Sequence, residues 1–212
     1  MNNKFVHDKE FTTNLNKFNE QVHPPTYQKH WWLVDQLDFD FKSYLTKFDW
    51  DNIPNNARYK SSLTNYYKDD PSNIIHKQYD VDVELLNDEL TRYIVSYMKE
   101  NCDFEFWDVS MFNQPVGAQS KPHIDQHGKF RKKNGLTNII QGSDIYKKII
   151  RLWVPMEDRK YGHFFDVDGV QIDNWKAGQV YHLHTFVTHV GLTMGYESRK
   201  FLTLTGVKKG LL

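Results

Sequence analysis

His123-Ile124-Asp125 and, later in the chain, His189 followed ten residues on by Arg199 are the residues whose types and spacing could do chemistry. On an extended segment, positions i and i+2 share a face, so His123 and Asp125 can present an imidazole and a carboxylate to one ion. Such a triplet also arises by chance, and its other reading is a surface histidine beside a solvated aspartate. Gly117 and Pro122 precede it here, as suits a turn that delivers a strand end to a pocket. In the block from Gly178 to His189, His182 and His184 lie two apart and could mimic a metal pair, or pack as ordinary strand histidines. A reversal near Met194-Gly195 predicts that Arg199 lies opposite His189 on the neighbouring antiparallel strand, about 5 Å away in backbone terms.

Two imidazoles and one carboxylate leave three adjacent positions open on an octahedral ion, the facial arrangement of non-haem iron(II) oxygenases. The same donors bind zinc, nickel or cobalt. With 2-oxoglutarate as co-substrate, its 1-carboxylate and keto oxygen take two positions and O2 takes the third. Its far carboxylate then requires a cation, best an arginine fork, for which Arg199 is the candidate. Arg151 precedes an apolar run and reads as an interior strand cation, expensive to bury without an anion. Its partner is either a carboxylate of 2-oxoglutarate or substrate, or a structural salt bridge. His127 follows Asp125 by two, but Gly128 marks the end of that strand, which leaves His127 outside the metal set.

These residues need elements to hold them. Phe41, Tyr44, Leu45 and Phe48 draw one face of a short helix that ends before Pro54. Leu86, Leu90, Tyr93, Ile94 and Tyr97 draw a second helix, with Asp82 as its cap and Lys99 at its negative end. From Phe104 the period becomes two, and strands are expected over 104–113, 149–155, 163–167, 179–184 and 200–207. Helices followed by strands predict a mainly β fold with helices outside a sandwich or barrel. Residues 1–30, with the Pro24-Pro25 break, read as a polar leading arm.

The chain has 212 residues, 39% hydrophobic and 15% aromatic, which suits one domain: an arm with supporting helices over 1–103, then a β core over 104–212. Twenty-seven basic residues balance 27 acidic ones, so no net field draws it to nucleic acid or an anionic membrane. The run Lys129–Lys133 reads as a solvated loop rather than a nucleic-acid contact. No apolar stretch reaches the roughly 18 residues of a spanning helix and no signal peptide is seen, which predicts a soluble cytoplasmic protein. The single cysteine, Cys102, excludes an intrachain disulfide and multi-cysteine metal sites, and reads as a core residue.

Arg151-Leu-Trp-Val-Pro155, Gly178, His189 eleven residues later and Arg199 ten after that, together with Gly117–Asp125, resemble the aspartyl/asparaginyl β-hydroxylase branch of the iron(II) and 2-oxoglutarate oxygenases. That branch includes amino-acid hydroxylases of the cis-proline type. The resemblance covers about half the chain. It implies a double-stranded β-helix of jelly-roll or cupin type, iron at His123, Asp125 and His189, and the distal carboxylate of 2-oxoglutarate on Arg199. Its glycine spacing selects His189 over His182 and His184. Asp125 is present where some members carry glycine, so the chain resembles three-ligand hydroxylases and not halogenases. Trp153 stands where the branch has a histidine, and 126–148 looks like an inserted loop over the pocket, mobile until substrate binds.

The activity so implied is hydroxylation of an unactivated C–H bond on an amino-acid side chain, free or in a peptide, as 2-oxoglutarate is converted to succinate and CO2. Nucleic-acid demethylases carry a second arginine six residues after the first, where this chain has Thr205. A non-catalytic metal- or sugar-binding jelly-roll explains the β pattern but not the interval from His189 to Arg199.

Overall fold

The computed structural model describes residues 30–59, 79–120 and 122–211. The leading arm over 1–30 therefore lies, His30 apart, outside the described residues.

Ten strands among the described residues carry the architecture. They are β1 (Trp31–Gln36), β2 (Arg58–Tyr59), β3 (Tyr79–Asp82), β4 (Phe104–Gln114), β5 (Ile150–Pro155), β6 (His163–Val167), β7 (Val170–Gln171), β8 (Gln179–Leu183), β9 (His189–Thr193) and β10 (Arg199–Lys208). The larger sheet runs β1-β8-β5-β10-β4-β3-β2 and the smaller β7-β6-β9, all antiparallel. Bridges Gln119↔Leu192 and His123↔His189 lay the segment 119–123 along the free side of β9. This alternation of successive chain segments between two facing sheets is a double-stranded β-helix, as the family resemblance implies.

Strand alternation sorts each side chain of the large sheet. One face carries Val109, Met111, Leu152, Val154, Leu202 and Leu204, which pack with Leu90, Ile94 and Met98 in the main core. The other faces the small sheet, where Trp153, Tyr181 and Phe201 meet Phe165 and Val167. The Trp153 and Phe165 rings stack at 4.6 Å. Cys102 is buried in the main core, where burial pushes its thiol pKa up. Helix α1 (Phe41–Lys47) starts where Asp40 accepts from the Ser43 amide.

Several expectations need correction. Asp82 caps only the short 3-10 turn Val83–Leu85. Asn87 then turns left-handed at φ 54° and Asp88 caps α2 (Glu89–Glu100), so Leu86 sits in the connection rather than on the helix. The first half also supplies strands: β1 pairs with β8 and β3 with β4. The run 129–133 is not a solvated loop. It forms α3 (Gly128–Lys133), and Phe130 is buried with Ile139, Tyr146, Ile149 and Val207. Lys129 pairs with Asp82 and Asp108 at 3.2 and 2.9 Å, and Lys133 pairs with Glu84. No helix among the described residues is long and apolar enough to cross a membrane.

Candidate metal centre

His123 and His189 are brought together by the backbone. Each amide donates to the other's carbonyl, at 3.1 and 3.0 Å, which makes the two residues a directly opposed antiparallel pair. Their side chains share the inward face, with ring centroids 4.4 Å apart. Asp125, two residues past His123, turns onto the same point: Oδ1 is 3.8 Å from His123 Nε2, and Oδ2 is 3.8 Å from His189 Nε2. One ligand atom from each residue lies within 4.8 Å of the others. Donors roughly 2.0–2.2 Å from a shared ion sit about 3–3.5 Å apart, so a small inward adjustment closes the set. His189 Nδ1 is 3.3 Å from the Val187 carbonyl, and the tautomer that donates there leaves Nε2 free to ligate.

The electrostatics suit a cation. Burial alone would raise the Asp125 carboxyl, but Arg151 beside it, with His189, His127 and His123 around it, outweighs burial and holds it well below the usual carboxylate range. Burial also lowers the His189 pKa, favouring the neutral ring that a metal requires. His127 is buried too, its pKa pulled down to about 4 by burial, and stands outside the trio with its ring 5.5 Å from Tyr146. His182 stacks on Trp32 at 5.5 Å and His184 lies near His30, so neither joins the ligands. A second acidic group, Asp82, Glu84 and Asp108, is engaged in ion pairs with Lys129 and Lys133.

Arg199 is not on the strand next to His189. β9 pairs with β6, whereas β10 pairs with β4 and β5 in the opposite sheet, so the link over 194–198 crosses between sheets instead of closing a hairpin. The guanidinium nevertheless reaches the interior, on the same phenyl ring as His189. Its Cζ lies 5.4 Å from the Phe165 ring, which is 6.0 Å from the His189 ring. Nη1 donates to the Phe164 carbonyl at 2.8 Å and Nη2 to Gln114 Oε1, while Nε has no partner among the described residues. Arg199 is 3% exposed, burial lowers its pKa to about 9, and no carboxylate among the described residues comes within ion-pair distance. Trp153 Nε1 and Thr203 Oγ1, on facing positions of β5 and β10, are also buried without a hydrogen-bond partner among the described residues.

Arg151 turns to Asp125, its Nε 3.0 Å from Oδ2, and its Nη1 donates to Thr205 Oγ1 on the paired position of β10. The salt bridge, one of the two readings open from sequence, is therefore present. Sequence reading missed Gln114, Phe165, Tyr146 and Gly191. Gly191 carried a signal, a strand glycine two residues from a metal candidate, which marks close approach of another group.

No family model matches the chain, and no curated protein matches it. Among solved structures, a prolyl-4-hydroxylase from Pseudomonas putida is 15% identical over 64% of this chain and 73% of its own, with a TM-score of 0.47. A predicted oxalate decarboxylase from Thermotoga maritima is 11% identical over 61% and 80%, at 0.34. A non-haem monooxygenase, the ThoJ–nickel complex, is 14% identical over 59% of this chain and 62% of its own, at 0.39. All three likenesses are distant.

Proposed function

We propose that this chain is a cytoplasmic iron(II)- and 2-oxoglutarate-dependent dioxygenase of the aspartyl/asparaginyl β-hydroxylase-like branch. In this reading it hydroxylates an unactivated C–H bond on an amino-acid side chain, in a small molecule or a peptide. His123, Asp125 and His189 hold the iron. Bound there, iron with 2-oxoglutarate and O2 supplies the oxidising power, converting the keto acid to succinate and CO2. The residues of the chain bind, orient and exclude water.

Arg199 carries the reading. A guanidinium 3% exposed, without a carboxylate among the described residues and with one nitrogen unpartnered, is an expensive arrangement unless an anion joins it. Arg199 and His189 both lie against the Phe165 ring, the guanidinium at 5.4 Å and the imidazole at 6.0 Å, which puts the guanidinium on the same side of the interior as a keto diacid chelated at the metal. Trp153 Nε1 and Thr203 Oγ1 are further unused polar groups on the same inward face. Phe165 and Phe201 flank the guanidinium and keep the pocket dry, which strengthens a charge-assisted pair. A non-catalytic metal-binding barrel would need the trio but not a buried, unneutralised Arg199.

The deciding assay measures succinate formed from 2-oxoglutarate with iron(II) and O2, over a panel of amino acids and peptides. Turnover that needs all three and rises with one substrate class is expected. Metal binding with neither 2-oxoglutarate binding nor succinate formation would support the non-catalytic barrel.

A further inference from the structure

Asp125 lies in no regular element, so the sheet does not fix its rotamer, yet the structure holds it at both ends. The Tyr146 hydroxyl donates to its backbone carbonyl at 2.9 Å, and Arg151 Nε grips Oδ2 at 3.0 Å. Arg151 is itself pinned, because its Nη1 donates to the buried Thr205 on the paired position of β10. The two carboxylate oxygens are therefore unequal. Each oxygen faces one imidazole at 3.8 Å, Oδ1 towards His123 Nε2 and Oδ2 towards His189 Nε2, but only Oδ2 also carries the guanidinium, so Arg151 competes with a metal for that oxygen alone.

This inequality matters to an octahedral ion. With one Asp125 oxygen and two imidazoles bound, three positions stay open, enough for a keto acid chelate and O2. If both Asp125 oxygens bound, two would remain, and chelation and O2 would compete. Carboxylates bind metals in either mode, and a hydrogen-bonded outer partner commonly decides the orientation of a ligand.

We infer that Arg151 is a positioning residue that keeps Oδ2 of Asp125 off the metal and so preserves the third open coordination position. It acts through Asp125 and, in this role, touches neither co-substrate nor substrate. The inference rests on the proposed metal centre and 2-oxoglutarate site.

The test uses the full chain loaded with cobalt(II), a redox-silent stand-in whose visible spectrum reports coordination number. Arg151→Met should still bind about one ion per chain, at wild-type affinity or tighter, because a carboxylate oxygen has been released. Its spectrum before any 2-oxoglutarate is added should differ from wild type, and its 2-oxoglutarate affinity should fall by about 10–100-fold. Arg151→Lys should restore part of both. Thr205→Val, which removes only the pin, should shift both in the same direction by less, and it serves as the test if Arg151→Met does not fold. A 2-oxoglutarate-free spectrum identical to wild type in Arg151→Met, or in Thr205→Val where that variant stands in, overturns the positioning role. If affinity alone falls, Arg151 contacts the co-substrate directly. Failure of the wild type to bind cobalt, or equal 2-oxoglutarate affinity in wild type and Arg199→Met, would instead overturn the parent reading and this inference with it.

Discussion

Gly191 lies directly against the Arg199 guanidinium: a Cβ added at Gly191 would stand 2.1 Å from Nη2 and 3.1 Å from Cζ. The two residues belong to opposite sheets, so the arginine crosses the barrel interior only because position 191 has no side chain. Gln114 completes the arrangement, accepting from Arg199 through Oε1 and donating to the Gly191 carbonyl through Nε2 at 3.1 Å. The Gly191→Ala methyl would displace the guanidinium by steric force alone, since the backbone there is not in the left-handed region. The variant should lose roughly 1–3 kcal/mol of stability. Calorimetric titration should find 2-oxoglutarate affinity reduced while metal stoichiometry holds, and unchanged affinity would mean the guanidinium is not the anchor.

Arg199→Lys keeps the charge without the fork, and Arg199→Met keeps much of the stem without either. Apparent 2-oxoglutarate affinity should fall in the order wild type, Lys, Met. The Met variant should be weaker by roughly 2–5 kcal/mol, because a carboxylate is left buried and unpaired. Iron content should stay constant across the series. Tight binding by a folded Met variant would pass the anchoring role to another cation, with Arg151 first in line.

How much of this was legible depended on whether the signal was local. The alternation over 163–167 matches β6 to the residue, and the His123/Asp125 spacing foretold a shared site. The interval from His189 to Arg199 singled out two residues that both lie against Phe165, but by the wrong geometry: ten residues read as a hairpin, whereas each strand pairs elsewhere. A pairing partner is a long-range choice and leaves no local mark. Arg151 was recognisable as a buried cation in need of an anion, but nothing in the sequence singled out Asp125, 26 residues earlier, as that anion. Tyr146 and Gly191 act through contacts that only the closed barrel creates. β1 was hidden beside a polar arm, although Trp31-Trp32-Leu33-Val34 has strand-forming composition.

Single replacement of His123, Asp125 or His189 by Ala should each lower iron affinity by more than the 10–100-fold typical of residues that only support a ligand. Metal content after dialysis, measured by atomic emission, checks this. Wild-type content in all three variants would remove the metal centre.

The segment 126–148 offers a contrast between a lid and a structural part. Phe130 is 1% exposed and packs with Tyr146, whose hydroxyl holds the Asp125 carbonyl. Phe130→Ala should therefore cost about 3–5 kcal/mol of stability and loosen iron binding as well. A mobile lid would show the opposite pattern, with stability intact and only substrate use impaired. Chemical denaturation alongside metal titration separates the two.

Acid sensitivity should come in part from a histidine remote from catalysis. His182 is 2% exposed, and burial, with smaller effects of His184 and Lys208, lowers its pKa to about 3. An unfolded histidine titrates near 6.5. Above about pH 6.5 both states carry a neutral ring, and His182 gives stability no pH dependence. Between about 6.5 and 3 the unfolded chain takes up a proton that the folded chain refuses, so stability falls with falling pH, by up to about 1.4 kcal/mol per pH unit for this one group. Below about 3 both states are protonated and the dependence on His182 levels off. His182→Phe keeps a ring to stack on Trp32 and removes the titration. Urea unfolding of the metal-free protein at pH 7, 6 and 5 should give a shallower loss for the variant than for wild type. Parallel curves would show that His182 takes up its proton as readily in the folded chain as in the unfolded one.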